Sequence, residues 1–388
     1  MTTRNHLGRA ALRAVVAMVV LATCGGGPTD GETAASDVGG ILGRRFPAAV
    51  GTPAGLFLYG GSEGVDPLGG AALVDPVTGA EAALPEPPFE VPLAAHSVAA
   101  YSGTQVFVLG ELCAATVEID DTTSGCEPGG LAAAVYSPAE QSWRSVGIPE
   151  ELVAATDRER PWVSQLRGVT DDGLIVLDLI LEGDRAGGQA PFWTFDPATD
   201  EWIHLDDPGV VVDDACVAGD RLVVNSSVPG QNLVATDVSL SVLSLDDDAE
   251  WEQGPALDEV IWSYAPKMGC GDDFAVVYES EAQVGEDAEL RAASFLTGTD
   301  PAVASDWMPL PDLGPTLPGV DVWTGQRLAI FGFGGGAVAL DRTTDEWVPL
   351  ADAPSVTADL DPPVVVGDLL VTLDPASPNG LDVGDATL

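Results

Sequence analysis

Phe195-Asp196-Pro197-Ala198-Thr199-Asp200-Glu201-Trp202 and Leu340-Asp341-Arg342-Thr343-Thr344-Asp345-Glu346-Trp347 carry one pattern at distant points of the chain. Tyr136-Ser137-Pro138-Ala139-Glu140-Gln141-Ser142-Trp143 repeats it with Ser in the acid position. Val74-Asp75-Pro76-Val77-Thr78-Gly79 carries its first half without the Trp. An Asp side chain at a turn accepts backbone N–H bonds and Pro presets φ at the next position, so each copy reads as strand, turn, strand. The Trp opens the second of these strands and lays a large apolar face on the sheet. Trp-x-x-Leu recurs at Trp202/Leu205, Trp307/Leu310 and Trp347/Leu350, each time running into a Pro- or Asp-rich exit.

Upstream of each copy lies a short apolar run. Leu56-Phe57-Leu58-Tyr59, Val106-Phe107-Val108-Leu109, Leu174-Ile175-Val176-Leu177, Leu222-Val223-Val224, Phe274-Ala275-Val276-Val277, Leu328-Ala329-Ile330-Phe331 and Leu369-Leu370-Val371 recur at roughly fifty-residue spacing. Each reads as a buried strand. Small turns such as Ser102-Gly103, Gly219-Asp220, Gly271-Asp272 and Gly367-Asp368 precede most of them and join them tightly to an earlier strand. Four strands per repeat with a terminal Trp make a blade of a β-propeller. The fold class is therefore all-β.

The segment from His96 through Val106-Phe107-Val108-Leu109-Gly110 to Trp143 resembles the kelch repeat, the type found in the central domain of galactose oxidase. The double glycine of that repeat survives only at Gly60-Gly61. The resemblance covers residues 41–388 and implies a ring of four-stranded blades. Seven apolar runs predict seven blades, with six as the alternative. The last repeat, from about Ala358, offers three strands, ending in Leu381-Asp382-Val383-Gly384-Asp385-Ala386-Thr387. The segment Ile41–Phe46 is expected to supply its fourth strand and so close the ring by pairing the chain's two ends.

Composition bounds what such a ring can do. The chain has 388 residues, 46% of them hydrophobic, which excludes a mostly disordered protein. The 45 Gly and 30 Pro suit many turns between short strands. Asp and Glu number 61 against 15 Lys and Arg, a formal charge of −46. A surface this acidic repels phosphate backbones and anionic headgroups, so no nucleic acid is expected as a partner, and no membrane except through a lipid anchor.

Arg4, Arg9 and Arg13 precede the apolar run Ala14-Val15-Val16-Ala17-Met18-Val19-Val20-Leu21, and Ala22-Thr23-Cys24 follows. A basic head, a short apolar segment and small residues form an export signal over residues 1–23. The run is too short to span a bilayer comfortably. Cys24 resembles the lipidated Cys of bacterial lipoproteins, with Thr23 an unusual residue before it. Residues 24–40 then read as a flexible tether to a propeller domain over 41–388. The expected location is the outer side of the cell membrane, lipid-anchored, with plain secretion as the alternative. Cys113, Cys126, Cys216 and Cys270 remain, an even number in an oxidising compartment, which implies two disulfides. Cys113 and Cys126 close a short loop. Cys216 and Cys270 precede the turn glycines Gly219 and Gly271 by three and one residues, so both stand on the innermost strands of consecutive blades, pointing the same way.

No catalytic constellation stands out. Copper chemistry of the galactose-oxidase type needs Tyr and His ligands. Beyond the leader only His96 and His204 occur, on unrelated strand types, so that chemistry is rejected. A Ser nucleophile needs a His base, and no Gly-x-Ser-x-Gly is present. No metal site is expected. Zinc lacks a CxxC pair, and Ca²⁺, which the many acids could hold, lacks an ordered loop spacing. Adjacent acids such as Asp171-Asp172 and Asp206-Asp207 lie mostly at turns, as solvated charge.

Extended loops at 110–130, 181–190 and 279–291 are predicted to share one face of the ring. Glu111, Asp121, Asp184, Arg185, Gln189 and Glu281 from these loops, with Trp162 and Trp262 from connections between blades, are the candidate ligand-binding residues. Aromatics beside acids and amides suit a glycan or a protein ligand. The function expected is a surface-tethered, non-catalytic, monomeric propeller binding such a ligand. The alternative is a secreted glycan-active enzyme using loop carboxylates.

Overall fold

The computed structural model describes residues 40–386 except 64–65, 95–96, 119–123, 154–161, 182–191, 230–234, 246–249, 257–265, 280–293, 297–306, 312–317, 333–335, 351–352, 355–362, 375–376 and 378–379. It is all-β apart from a 3-10 turn at Ile41–Gly43 and one helical turn at Glu150–Val153. Six four-stranded antiparallel sheets follow one another along the chain, and a three-stranded sheet ends it.

The innermost strands of blades 1 to 6 are Ala48–Thr52, Val98–Tyr101, Trp162–Val169, Asp214–Ala218, Pro266–Cys270 and Pro318–Trp323. That of the terminal sheet is Val364–Val366. Each touches the next, and Val364–Val366 returns to Ala48–Thr52, so the ring is closed.

The second strands carry the core. Gly55–Tyr59 and Leu328–Gly332 are buried along their whole length. A strand covered on both faces is written as a continuous apolar run, which is why this element recurs so plainly. Alternate residues serve opposite neighbours. Phe57 and Tyr59 pack with Val106, Val108 and Tyr136 of blade 2. Leu56 and Leu58 pack with Val371, Leu373 and Leu381 of the terminal sheet. Blade 1 meets that sheet so closely that a Cβ at Gly51 would lie 1.6 Å from the Val365 carbonyl oxygen.

The repeated turn has one geometry. Asp196 accepts the N–H of Ala198 at 2.7 Å and Asp341 that of Thr343 at 2.8 Å. Four residues after the Asp or Ser position, Gly79, Gln141, Asp200 and Asp345 all have left-handed backbones, with φ of 69°, 50°, 62° and 54°. Two outer Trp side chains tie back to the preceding blade: Trp143 donates to the Pro85 carbonyl at 2.9 Å and Trp251 to that of Asp206 at 2.6 Å.

Two expectations need correction. Among the described residues, complete four-stranded blades number six, the lower of the two counts, and the seventh position holds three strands. Nor does Ile41–Phe46 supply the missing strand. Gly43 interrupts that segment and Gly40 and Pro47 flank it, Ile41–Gly43 coils into a 3-10 turn, and Arg45 bridges Ser62 of blade 1 instead. The Glu81 carboxylate accepts the Ile41 and Leu42 N–H groups at 2.9 and 3.2 Å. The Ile41 side chain then joins Leu373 and Leu381 in the core, so the chain's start caps the terminal sheet by packing rather than by pairing.

Candidate functional site

Asp121, Asp184, Arg185, Gln189, Trp262 and Glu281 lie outside the described residues, as does Cys24. Trp162 is the first residue of the innermost strand of blade 3, opposite Leu181, rather than part of a connection. Glu111 is not on a loop. Residues 110–130 largely continue the second and third strands of blade 2, Val106–Glu118 and Ser124–Ser137. The Cys113–Cys126 disulfide, with Cα atoms 5.1 Å apart, fastens these strands side by side. Glu111 is 7% exposed, and its carbonyl accepts the Ala94 N–H at 2.6 Å. His204 is exposed on the outermost strand of blade 3, against Trp193.

The concentration of charge that the structure does assemble lies at the inner ends of blades 3 to 6. Arg167 sits at a bulge in the innermost strand of blade 3, its side chain 8% exposed. It donates to Asp178 of the same blade and to Asp214 of blade 4, both at 2.6 Å. Burial works to lower the guanidinium's pKa, but the charges of Asp214 and Asp178 outweigh it and hold Arg167 above its ordinary value. The other Asp214 oxygen accepts the Met268 N–H of blade 5 at 3.1 Å. Asn225 accepts the Asp214 N–H at 2.6 Å and donates to the Pro266 carbonyl at 3.0 Å.

Beside Met268, Gly269 leaves room for Asp321 of blade 6: a Cβ there would lie 2.9 Å from Asp321 Oδ2. Tyr278 donates its hydroxyl to Asp321 Oδ1 at 2.5 Å. Burial pushes the Asp321 carboxyl up from 3.8 to about 6. The Tyr278 bond opposes this, the charge of Asp214 adds to it and that of Lys267 subtracts. Burial and the Asp321 charge likewise raise Tyr278 well above its usual value.

Consecutive residues of one strand, Met268 and Gly269, thus have a carboxylate on each side. One is locked to a guanidinium. The other keeps a proton up to mildly acidic pH. Two carboxyl groups in environments this different can divide the labour of acid–base chemistry. The sequence reading missed this site, and two local traces of it stand in the chain. Asp178 interrupts the apolar run Leu174–Leu181, and Asp321 stands between Val320 and Val322. Among the described residues, no group of three or more His, Cys, Asp or Glu is placed to hold a metal ion.

Cys216–Cys270 also forms, with Cα atoms 5.7 Å apart, joining the innermost strands of blades 4 and 5. Among the described residues no helix is long and apolar enough to cross a membrane. The two disulfides agree with an exported protein.

No protein-family model matches the chain, and no curated protein sequence does. Solved structures are similar in fold. Acylaminoacyl peptidase of Pyrococcus horikoshii aligns with a TM-score of 0.49 at 11% identity, over 84% of this chain and 49% of that one. A structure from a study of two prolyl endopeptidases aligns with a TM-score of 0.43 at 13% identity, over 75% and 41%. This chain spans about half the length of the solved chains it matches. Both are peptidases, and on that finding the expected non-catalytic binder is corrected, with no activity carried over to this chain. The likeness is one of fold, and the substrates of those peptidases do not carry over with it.

Proposed function

We propose that the chain is an exported, glycan-active hydrolytic enzyme whose acid–base group is Asp321 and whose charge-stabilising group is Asp214. The observation that carries this reading is the pair of unlike carboxyls flanking Met268 and Gly269. Protonated Asp321 gives its proton to the leaving glycosidic oxygen, and its carboxylate recovers one from the attacking water. Asp214, held by Arg167 and the Met268 N–H, faces the positive charge that develops on the sugar ring. The carboxylates are those of innermost strands rather than of loops. The enzyme works as a monomer without a cofactor. Its repeats are of kelch type, and Cys24 carries the lipid that tethers it outside the cell.

A panel of polysaccharides and aryl glycosides incubated with the protein between pH 4 and 8 tests the reading. Cleavage is expected on the acid side and should fall as pH rises through about 6, where Asp321 loses its proton. Asp321→Asn should abolish it. Absence of cleavage across the panel, or an Asp321→Asn protein as active as the wild type, overturns the assignment.

A further inference from the structure

The innermost strands Asp214–Ala218 and Pro266–Cys270 belong to different sheets and share no ladder. Links at every second residue join their neighbourhoods instead. Asn225, paired opposite Asp214, donates to the Pro266 carbonyl. Met268 donates its N–H to Asp214. Cys270 is bonded to Cys216. Alternate residues share a face, so the disulfide lies one side-chain step, about 7 Å along the strand, beyond the Asp214–Met268 contact. Both sulfur-bearing residues are buried, 7% and 8% exposed, within a cluster that includes Met268. Main-chain ladders fix register inside a blade, whereas these two blades are joined by links that each involve a side chain. Here the covalent bond is the one link that cannot slide.

We infer that the Cys216–Cys270 disulfide is a positioning device for the carboxyl pair: it fixes blade 4 against blade 5, and so holds Asp214 beside the strand that Asp321 flanks. The inference rests on the assignment of that pair, but its consequence is read without turnover. The titratable and charged groups around Asp321 are Tyr278 of the next strand in blade 5, Asp214 of blade 4 and Lys267 of blade 5. Of these, Asp214 is the one whose distance the disulfide governs directly. Reduction lets the two strands part, which moves the Asp214 charge away and admits water, and both changes ease ionisation of Asp321.

The experiment is a carboxyl titration of Asp321 by ¹³C NMR on the full chain. The oxidised protein should titrate near pH 6. Cys216→Ala/Cys270→Ala should titrate lower by about one pH unit or more, toward the ordinary Asp value near 4. Cys113→Ala/Cys126→Ala, which cuts the other disulfide, should leave the midpoint in place. If the first double variant does not fold, oxidised Asp214→Asn reads the same coupling with the disulfide intact, and its midpoint should also fall. An unmoved midpoint in folded Cys216→Ala/Cys270→Ala, or in Asp214→Asn, overturns the inference. A protein that titrates as expected but cleaves no glycan refutes the hydrolytic reading alone.

Discussion

Replacing Asp321 with Asn should make the protein more stable at neutral pH and leave it nearly unchanged in acid. Burial and the Asp214 charge raise the Asp321 carboxyl from 3.8 to about 6. A group whose folded pKa is raised contributes stability that is complete below its unfolded pKa and is lost as pH rises through the folded one. The window is therefore pH 4 to 6. At 1.36 kcal/mol per pH unit, the difference between 3.8 and about 6 corresponds to about 3 kcal/mol lost by the wild type across that window. Asp321 is only half-buried, and solvent screening reduces the figure to about 2 kcal/mol. Asn stands in for the protonated carboxyl and keeps an acceptor for the Tyr278 hydroxyl, whose preference for the carboxylate is already contained in the value of about 6. The variant should gain about 2 kcal/mol at pH 7 and differ little from the wild type at pH 4. Urea unfolding of both proteins at pH 4, 5, 6 and 7, with disulfides intact, measures the difference through the midpoint at constant slope. A stability difference that does not change with pH would refute the reasoning, because it would mean that Asp321 titrates alike in the folded and unfolded chains.

Gly51→Ala should destabilise the protein by at least about 2 kcal/mol, since its Cβ would lie 1.6 Å from the Val365 oxygen where blade 1 meets the terminal sheet. Thermal melting against Gly43→Ala, whose Cβ meets nothing within 4 Å, checks it. Cys24→Ser should move the protein from the membrane fraction to the soluble one in cell fractionation, and unchanged partitioning would remove the lipid anchor from the proposal.

The blades were legible because their signal is local. An apolar second strand, its turn and the Asp-Pro turn two strands later all lie within one repeat, and burial on both faces leaves no polar gap in Leu328-Ala329-Ile330-Phe331. The site was not legible because its contacts run between repeats. Arg167 and Asp214 are 47 residues apart, Asp214 and Met268 are 54, and Tyr278 and Asp321 are 43. Aligning the Gly219 and Gly271 turns was enough to pair Cys216 with Cys270. The same alignment applied to charge, starting from Asp178 in its apolar run, leads to Arg167 and Asp214. The loop reading of residues 110–130 failed for another reason. Its length beyond a tight hairpin suggested a loop, yet the two strands run on past the blade and the disulfide holds them together.

The charges between blades 3 and 4 also separate what holds the fold from what serves the site. The junction of blades 2 and 3 is apolar by contrast where Phe107 and Leu109 meet Ile175 and Leu177. A buried ion cluster adds little stability over an apolar filling of the same shape, because desolvation offsets the attraction. Removing one member nonetheless strands the others. Arg167→Met should therefore cost about 3–5 kcal/mol, leaving Asp178 and Asp214 buried without their cation. Arg167→Met/Asp178→Leu/Asp214→Asn removes all the charge and keeps an acceptor for the Met268 N–H, so it should return to within about 2 kcal/mol of the wild type. Chemical denaturation ranks the proteins, and glycan cleavage should be absent from the triple variant even where its stability is recovered. If the triple variant is as unstable as Arg167→Met, the cluster holds the blades together, and its presence gives no reason to look for chemistry there.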